Sequence, residues 1–151
     1  MNAAHLSRQG HRLLQLGVLF LLLTSFEGFA VPYFAAPNLG RSAHTLIAFS
    51  AVLLLALGLV WPRLHLGLAA AYMASVFLIY SDLATIAGFV LGAVWGAGNT
   101  IMPLAAGSAR GSDFQETVIQ IVMYSGAPTG IISFALILWG LRYRPDATSP
   151  T

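Results

Sequence analysis

Cysteine is absent from the sequence. That removes disulfide stapling, thiol redox chemistry and cysteine-ligated zinc or iron–sulfur sites in one step. Lysine is absent too, so no Schiff base can form on a side chain. Charge of either sign is scarce: 8% of the 151 residues are charged, against 58% hydrophobic, and the mean hydropathy is +0.80. A soluble domain of this length has too much surface to cover with such a composition. What the chain has instead is repeated apolar runs of about 20 residues, the length an α-helix needs to cross a hydrocarbon core of about 30 Å. It reads as an all-α integral membrane protein, one membrane domain over 1–151. The net charge of +2, from seven arginines against five acids, bears on topology and not on nucleic acid.

The span rule places transmembrane helices at about 13–34, 41–61, 66–95 and 114–141, a four-transmembrane-helix bundle. The length of the first run, its Glu27 and the lack of a small-residue cleavage pattern argue against a signal peptide. Pro32, Pro37, Asn38 and Gly40 mark a turn, and Pro62 ends the second helix. Trp61 and Arg63 beside it read as an anchor at headgroup depth. The third run exceeds one perpendicular span, which predicts tilt or a kink. Residues 96–113 are rich in Gly, Ala and Ser and read as a loop, with Ile101, Met102 and Leu104 apolar enough to dip into the membrane. A polar tail fills 142–151.

Four spans bring both termini to one side. Arg8, Arg12, Arg63, Arg142 and Arg144 fall there, and only Arg41 and Arg110 fall opposite. The positive-inside rule therefore predicts a multi-pass inner-membrane protein with both termini cytoplasmic. Ala84, Gly88, Gly92 and Gly96 recur every four residues, as do Gly126 and Gly130. Such stripes let helices approach closely in lipid, either within the chain or between copies in a homo-oligomer.

Ionisable residues within a membrane span are costly and are functional candidates by default. At 1.5 Å per residue, Glu27 lies roughly 22 Å and Asp82 roughly 25 Å from the cytoplasmic edge. His44 enters from the outer side, and Gln115 and Glu116 open the fourth helix there. Glu27, His44, Asp82 and Glu116 are thus predicted to share the outer half of the membrane. Each also has a purely structural reading. Glu27 can snorkel to the headgroups, His44 can cap a packed interface, and Glu116 can complement its helix dipole.

The ligand types narrow the chemistry. A helical di-iron site needs Glu-x-x-His pairs, and none is present. A facial triad or a bis-histidine haem needs a second intramembrane histidine, and only His44 is available. One imidazole suits a haem iron with an open sixth position.

The runs SAHT at 42–45, LGLVWPRL at 57–64, AVWGAGNTIMPLAAG at 93–107 and GSDFQE at 111–116 resemble the hydroxylaminobenzene mutases. These are small membrane enzymes that rearrange hydroxylaminoarenes to 2-aminophenols in nitroaromatic degradation. More distantly, the chain is similar to styrene oxide isomerase. That resemblance implies a homotrimer holding haem b through the histidine of RSAHT, His44, with ferric iron as a Lewis acid on the substrate oxygen. It also implies site roles at Ser50 and Asp82. The relative's catalytic tyrosine falls at Ile86, a departure that puts the epoxide reaction in doubt.

The reading that follows is a haem b-dependent isomerase moving the hydroxyl group of an N-arylhydroxylamine to the ortho carbon. His44 is the axial ligand. Asp82 is the preferred base, with Glu27 or Glu116 positioning the amine and Ser50 in the site. Phe49, Tyr80, Phe89 and Trp95 are expected to form an arene pocket. The alternatives are an epoxide isomerase and a proton-coupled small multidrug-type exporter using Glu27.

Overall fold

The computed structural model describes residues 2–142. Its long helices are Asn2–Ala30 (α1), Pro37–Val60 (α2), Leu68–Trp95 (α3) and Asp113–Gly140 (α5), with a short helix Pro103–Ala106 (α4) before the last. Among the described residues four helices are long and apolar enough to cross a membrane, and there is no strand. The polar tail with Arg144 lies outside the described residues. Arg142, the last cation within them, lays its guanidinium over the Trp139 ring at 3.4 Å from the centroid.

The helix ends follow from local chemistry. α1 begins at Asn2 instead of near 13, because nothing between Ala3 and Arg12 breaks a helix except the tolerated Gly10. Hydropathy reports the immersed part of a helix, not its hydrogen-bonded length. α1 stops at Ala30, where Pro32 lies in the 3₁₀ turn Val31–Tyr33. Pro37, expected in a turn, instead opens α2 at its first position, where the missing N–H costs nothing. α3 is one unbroken helix of 28 residues and closes on Gly96, whose φ of 64° is the left-handed conformation glycine accepts freely. α5 starts from a capping box: Ser112 Oγ accepts from the Gln115 N–H at 3.4 Å, and the Ser112 N–H donates to Gln115 Oε1 at 2.8 Å.

Packing follows chain order, α1 on α2, α2 on α3 and α3 on α5. Small residues set the approach. A Cβ at Gly10 would stand 2.7 Å from the Gly58 carbonyl oxygen, so α1 and α2 meet there almost backbone to backbone. At Gly126 it would stand 2.9 Å from the Ala84 Cβ, so α3 and α5 meet closely there, whereas Gly92 faces Leu39 of α2 and Gly96 faces Ala35.

Hydrogen bonds tie each end of the assembly. At one end the Trp61 indole N–H donates to Gln9 Oε1 at 3.0 Å, and the His65 N–H donates to the Gly140 carbonyl at 2.8 Å. Trp61 is fully buried, so it joins α1 to α2 and is not the headgroup anchor its neighbours imply. At the opposite end the Ala36 N–H reaches the Ala93 carbonyl at 3.0 Å. There Met102 is buried in a cluster with Leu39 and Ile119, while Leu104 is 99% exposed.

Candidate functional site

His44 projects from the second turn of α2 toward α1. Its Nδ1 lies 2.9 Å from Glu27 Oε2 and 3.2 Å from Thr24 Oγ1, and the Thr24 hydroxyl donates to the His44 carbonyl at 3.0 Å. Gly28 makes the room: a Cβ there would stand 3.1 Å from His44 Cε1. The Glu27 side chain is 9% exposed and that of His44 is 42% exposed, so the pair is anchored inside while the imidazole reaches the surface of the chain. A cavity of about 380 Å³ borders it, lined by Gly28, Val31, Arg41, His44 and Thr45.

A second cavity, of about 500 Å³, lies on the far side of Arg41 and Thr45, which border both. Phe49 and Phe89 supply its aromatic surface, with Leu46 and Ser42. Two of the four expected arene-binding residues therefore share a space. Tyr80 does not join them: its hydroxyl donates to Ser125 Oγ on α5 at 2.8 Å. Tyr80 and Phe89 are nine residues apart, about two and a half helical turns, and so lie on opposite sides of α3. Trp95 packs instead at the end of α3, against the cluster around Leu39 and Ala97.

Asp82 faces α2, where the buried Ser50 hydroxyl stands beside its carboxyl group. Its Oδ2 is buried without a hydrogen-bond partner, as is Oε1 of Glu27. Buried polar atoms are nearly always satisfied, so each such oxygen requires an explanation. Ser75, two turns back, is not it, because its hydroxyl donates to the Tyr72 carbonyl at 2.9 Å. Ile86, where the resemblance places a tyrosine, lies in the apolar core.

Glu116 does not join this group. Its Oε1 accepts from the N–H groups of Gly98 at 2.8 Å, Gly111 at 3.2 Å and Asn99 at 3.3 Å, and its Oε2 from Thr100 at 3.0 Å. Loop N–H groups without helical partners need an acceptor, and a carboxylate at the start of α5 supplies it. The carboxylate expected to position the amine is thus turned to the 98–111 loop. Hydrogen bonds to charged groups contribute about 1.5–3 kcal/mol each. Glu116→Ala is therefore expected to speed amide exchange at Gly98, Asn99 and Thr100 by tenfold or more, while His44 and its neighbours keep their protection. Equal exchange in both proteins would show that the loop holds itself.

Sequence reasoning missed Thr24 and Gly28. Thr24 stands three residues before Glu27, the spacing that puts two helical side chains on one face. That was the available signal.

Among the described residues no three His, Cys, Asp or Glu side chains converge as a metal set. A metal that brings its own equatorial ligands needs only one imidazole, and His44 offers one held from behind by a carboxylate.

A family model described as styrene oxide isomerase matches residues 9–142. Hydroxylaminobenzene mutase HabB of Ectopseudomonas oleovorans is 41% identical over 134 residues, 89% of this chain and 82% of that protein. Hydroxylaminobenzene mutase HabA of the same organism is 32% identical over 125 residues, 83% of this chain and 93% of that protein. No solved structure matches the chain. Four apolar helices carrying a histidine–carboxylate pair, together with these matches, define a membrane isomerase. Such an enzyme rearranges one molecule and consumes no second one. The chain belongs to the styrene oxide isomerase family.

Proposed function

We propose that the chain converts N-arylhydroxylamines such as hydroxylaminobenzene to 2-aminophenols within the membrane, with haem b held by His44. The observation that carries the proposal is the His44 imidazole, half exposed, fixed through Nδ1 to buried Glu27 and bordering a cavity. The two mutases named above support the substrate class. Haem iron, when bound there, supplies a Lewis acid for the substrate's hydroxyl oxygen.

The remaining work falls to side chains. In the net change the N–O bond breaks, a C–O bond forms at the ortho carbon, and the hydrogen on that carbon leaves as a proton. Asp82 is the group to take it: a half-buried carboxylate whose inward Oδ2 lacks a partner, with Ser50 beside it to hold its orientation. The proton returns to the product, so atoms and electrons balance without an external donor. Phe49 and Phe89 offer ring faces on which the arene stacks.

The surrounding bilayer excludes bulk water that would compete for the ring carbon. Arg8, Arg12, Arg63 and Arg142 favour the cytoplasm for the end where Gln9 meets Trp61, in an inner-membrane protein. The homotrimer rests on resemblance, and the outward-facing His44 is where a second copy would cover the cofactor.

Purified protein expressed with haem is expected to turn N-phenylhydroxylamine into 2-aminophenol, read by chromatography, and to leave styrene oxide unchanged. Aldehyde from the epoxide without 2-aminophenol would transfer the assignment to epoxide isomerisation. Glu27 is bound to His44, which leaves the exporter reading no free carboxylate in α1.

A further inference from the structure

The hydrogen bonds around His44 decide which ring nitrogen carries the proton. Thr24 has one hydroxyl hydrogen, and it goes to the His44 carbonyl. Toward Nδ1 the Thr24 oxygen can therefore only accept. Glu27 Oε2, at 2.9 Å, is also an acceptor as a carboxylate. Nδ1 thus faces two acceptors and no donor, so the hydrogen of a neutral imidazole sits on Nδ1 and the lone pair on Nε2. Among the described residues Glu27 has no competing donor: its Oε1 is buried and unpartnered, so its hydrogen bonding goes to this one N–H. The partners come from one face of α1, three residues apart, with Gly28 beside them leaving space for the ring.

A carboxylate behind a ligating imidazole does more than orient it. Drawing the Nδ1 hydrogen toward an anion pushes electron density to the opposite nitrogen and raises its strength as a donor. A stronger axial donor favours ferric over ferrous iron, and second-shell hydrogen bonding is one of the protein's levers on haem potential. An isomerase has no use for the reduced state, because its Lewis acid must stay electron-poor. Glu27 meets that need from inside the protein, away from the reacting atoms.

We propose that Glu27, assisted by Thr24, is a positioning residue that holds His44 as the Nδ1–H tautomer and strengthens it as a donor, so that bound haem rests in the ferric state. This deepens the haem reading above and rests on it. It also replaces the substrate-binding role expected of Glu27: its one partner is the histidine, so the substrate amine is positioned elsewhere.

The test is a spectroelectrochemical titration of the full-length haem-loaded protein, with the iron–histidine stretch of its reduced form read by resonance Raman. Glu27→Gln keeps an acceptor for the Nδ1 hydrogen but removes the charge. The variant is expected to retain haem, to raise the ferrous-to-ferric ratio at a fixed ambient potential at least tenfold, and to lower the stretching frequency. Tenfold corresponds to about 59 mV for a one-electron couple. Thr24→Val, close in shape, is expected to shift both readouts the same way by less, and it carries the test if Glu27→Gln does not fold. Haem-loaded variants with the wild-type potential and stretch would overturn the inference and leave the haem reading intact. Wild-type protein that binds no haem would overturn both.

Discussion

Replacing His44 by alanine is expected to abolish the Soret band of protein expressed with haem and to reduce 2-aminophenol formation to the uncatalysed background. No other described histidine is placed to substitute. His5 and His11 lie in the first turns of α1, and His65 sits in the connection between α2 and α3, bonded through its N–H to Gly140. All three are at the opposite end from His44, by the Gln9–Trp61 and His65–Gly140 ties. Among the described residues no multidentate cluster exists to capture the iron instead. The change is also local. It vacates a ring that is 42% exposed and leaves Ala43 and Ile47, the buried neighbours on α2, untouched. Helix content and thermal unfolding should stay near those of the unaltered protein, which separates loss of ligand from loss of fold. Free imidazole added to the variant should restore part of the band through the space beside Gly28. An undiminished Soret band in the variant would assign the axial ligand elsewhere.

The second large effect is expected at Asp82. Its exchange for asparagine should lower turnover by about 10²–10⁴-fold, the range for removing a general base, while leaving the haem spectrum unchanged. Shape is preserved. A carboxylate oxygen buried without a partner opposes folding, so a neutral amide there should leave stability equal or higher. Activity down and stability level or up marks a group kept for chemistry. A purely structural Asp82 would show the reverse, and turnover within threefold of the unaltered enzyme would remove it from the reaction. Ser50→Ala is the graded companion, since Ser50 stands beside Asp82 and is expected to act through it.

The four spans could be read directly from composition, because a bilayer imposes one length on every helix that crosses it. The helix starts could not. From Asn2 to Arg12 the chain is polar yet still helical, and hydropathy is blind to backbone hydrogen bonds. The Glu27–His44 pairing could be anticipated in depth but not in direction, since depth follows from residue counting whereas rotation about the helix depends on which partner packs alongside. Glu116 shows the limit. The spacing puts it at the start of α5, and its carboxylate is turned to the loop by N–H groups whose lack of partners becomes visible only when Gly98, Asn99, Thr100 and Gly111 are folded around it. Tyr80 differs, because the two and a half turns that separate it from Phe89 are already present in the spacing.

Packing in chain order has a consequence for how the enzyme is made. Thr24, Glu27, Gly28 and His44 all belong to the hairpin of α1 and α2, whose contact at Gly10 and Gly58 closes without help from α3 or α5. The histidine and its carboxylate can therefore meet as soon as Val60 has been synthesised and the hairpin inserted. Asp82 arrives one span later, on α3. On the function proposed above, the haem ligand is complete before the proposed base exists, so the nascent chain is expected to bind haem before it can catalyse.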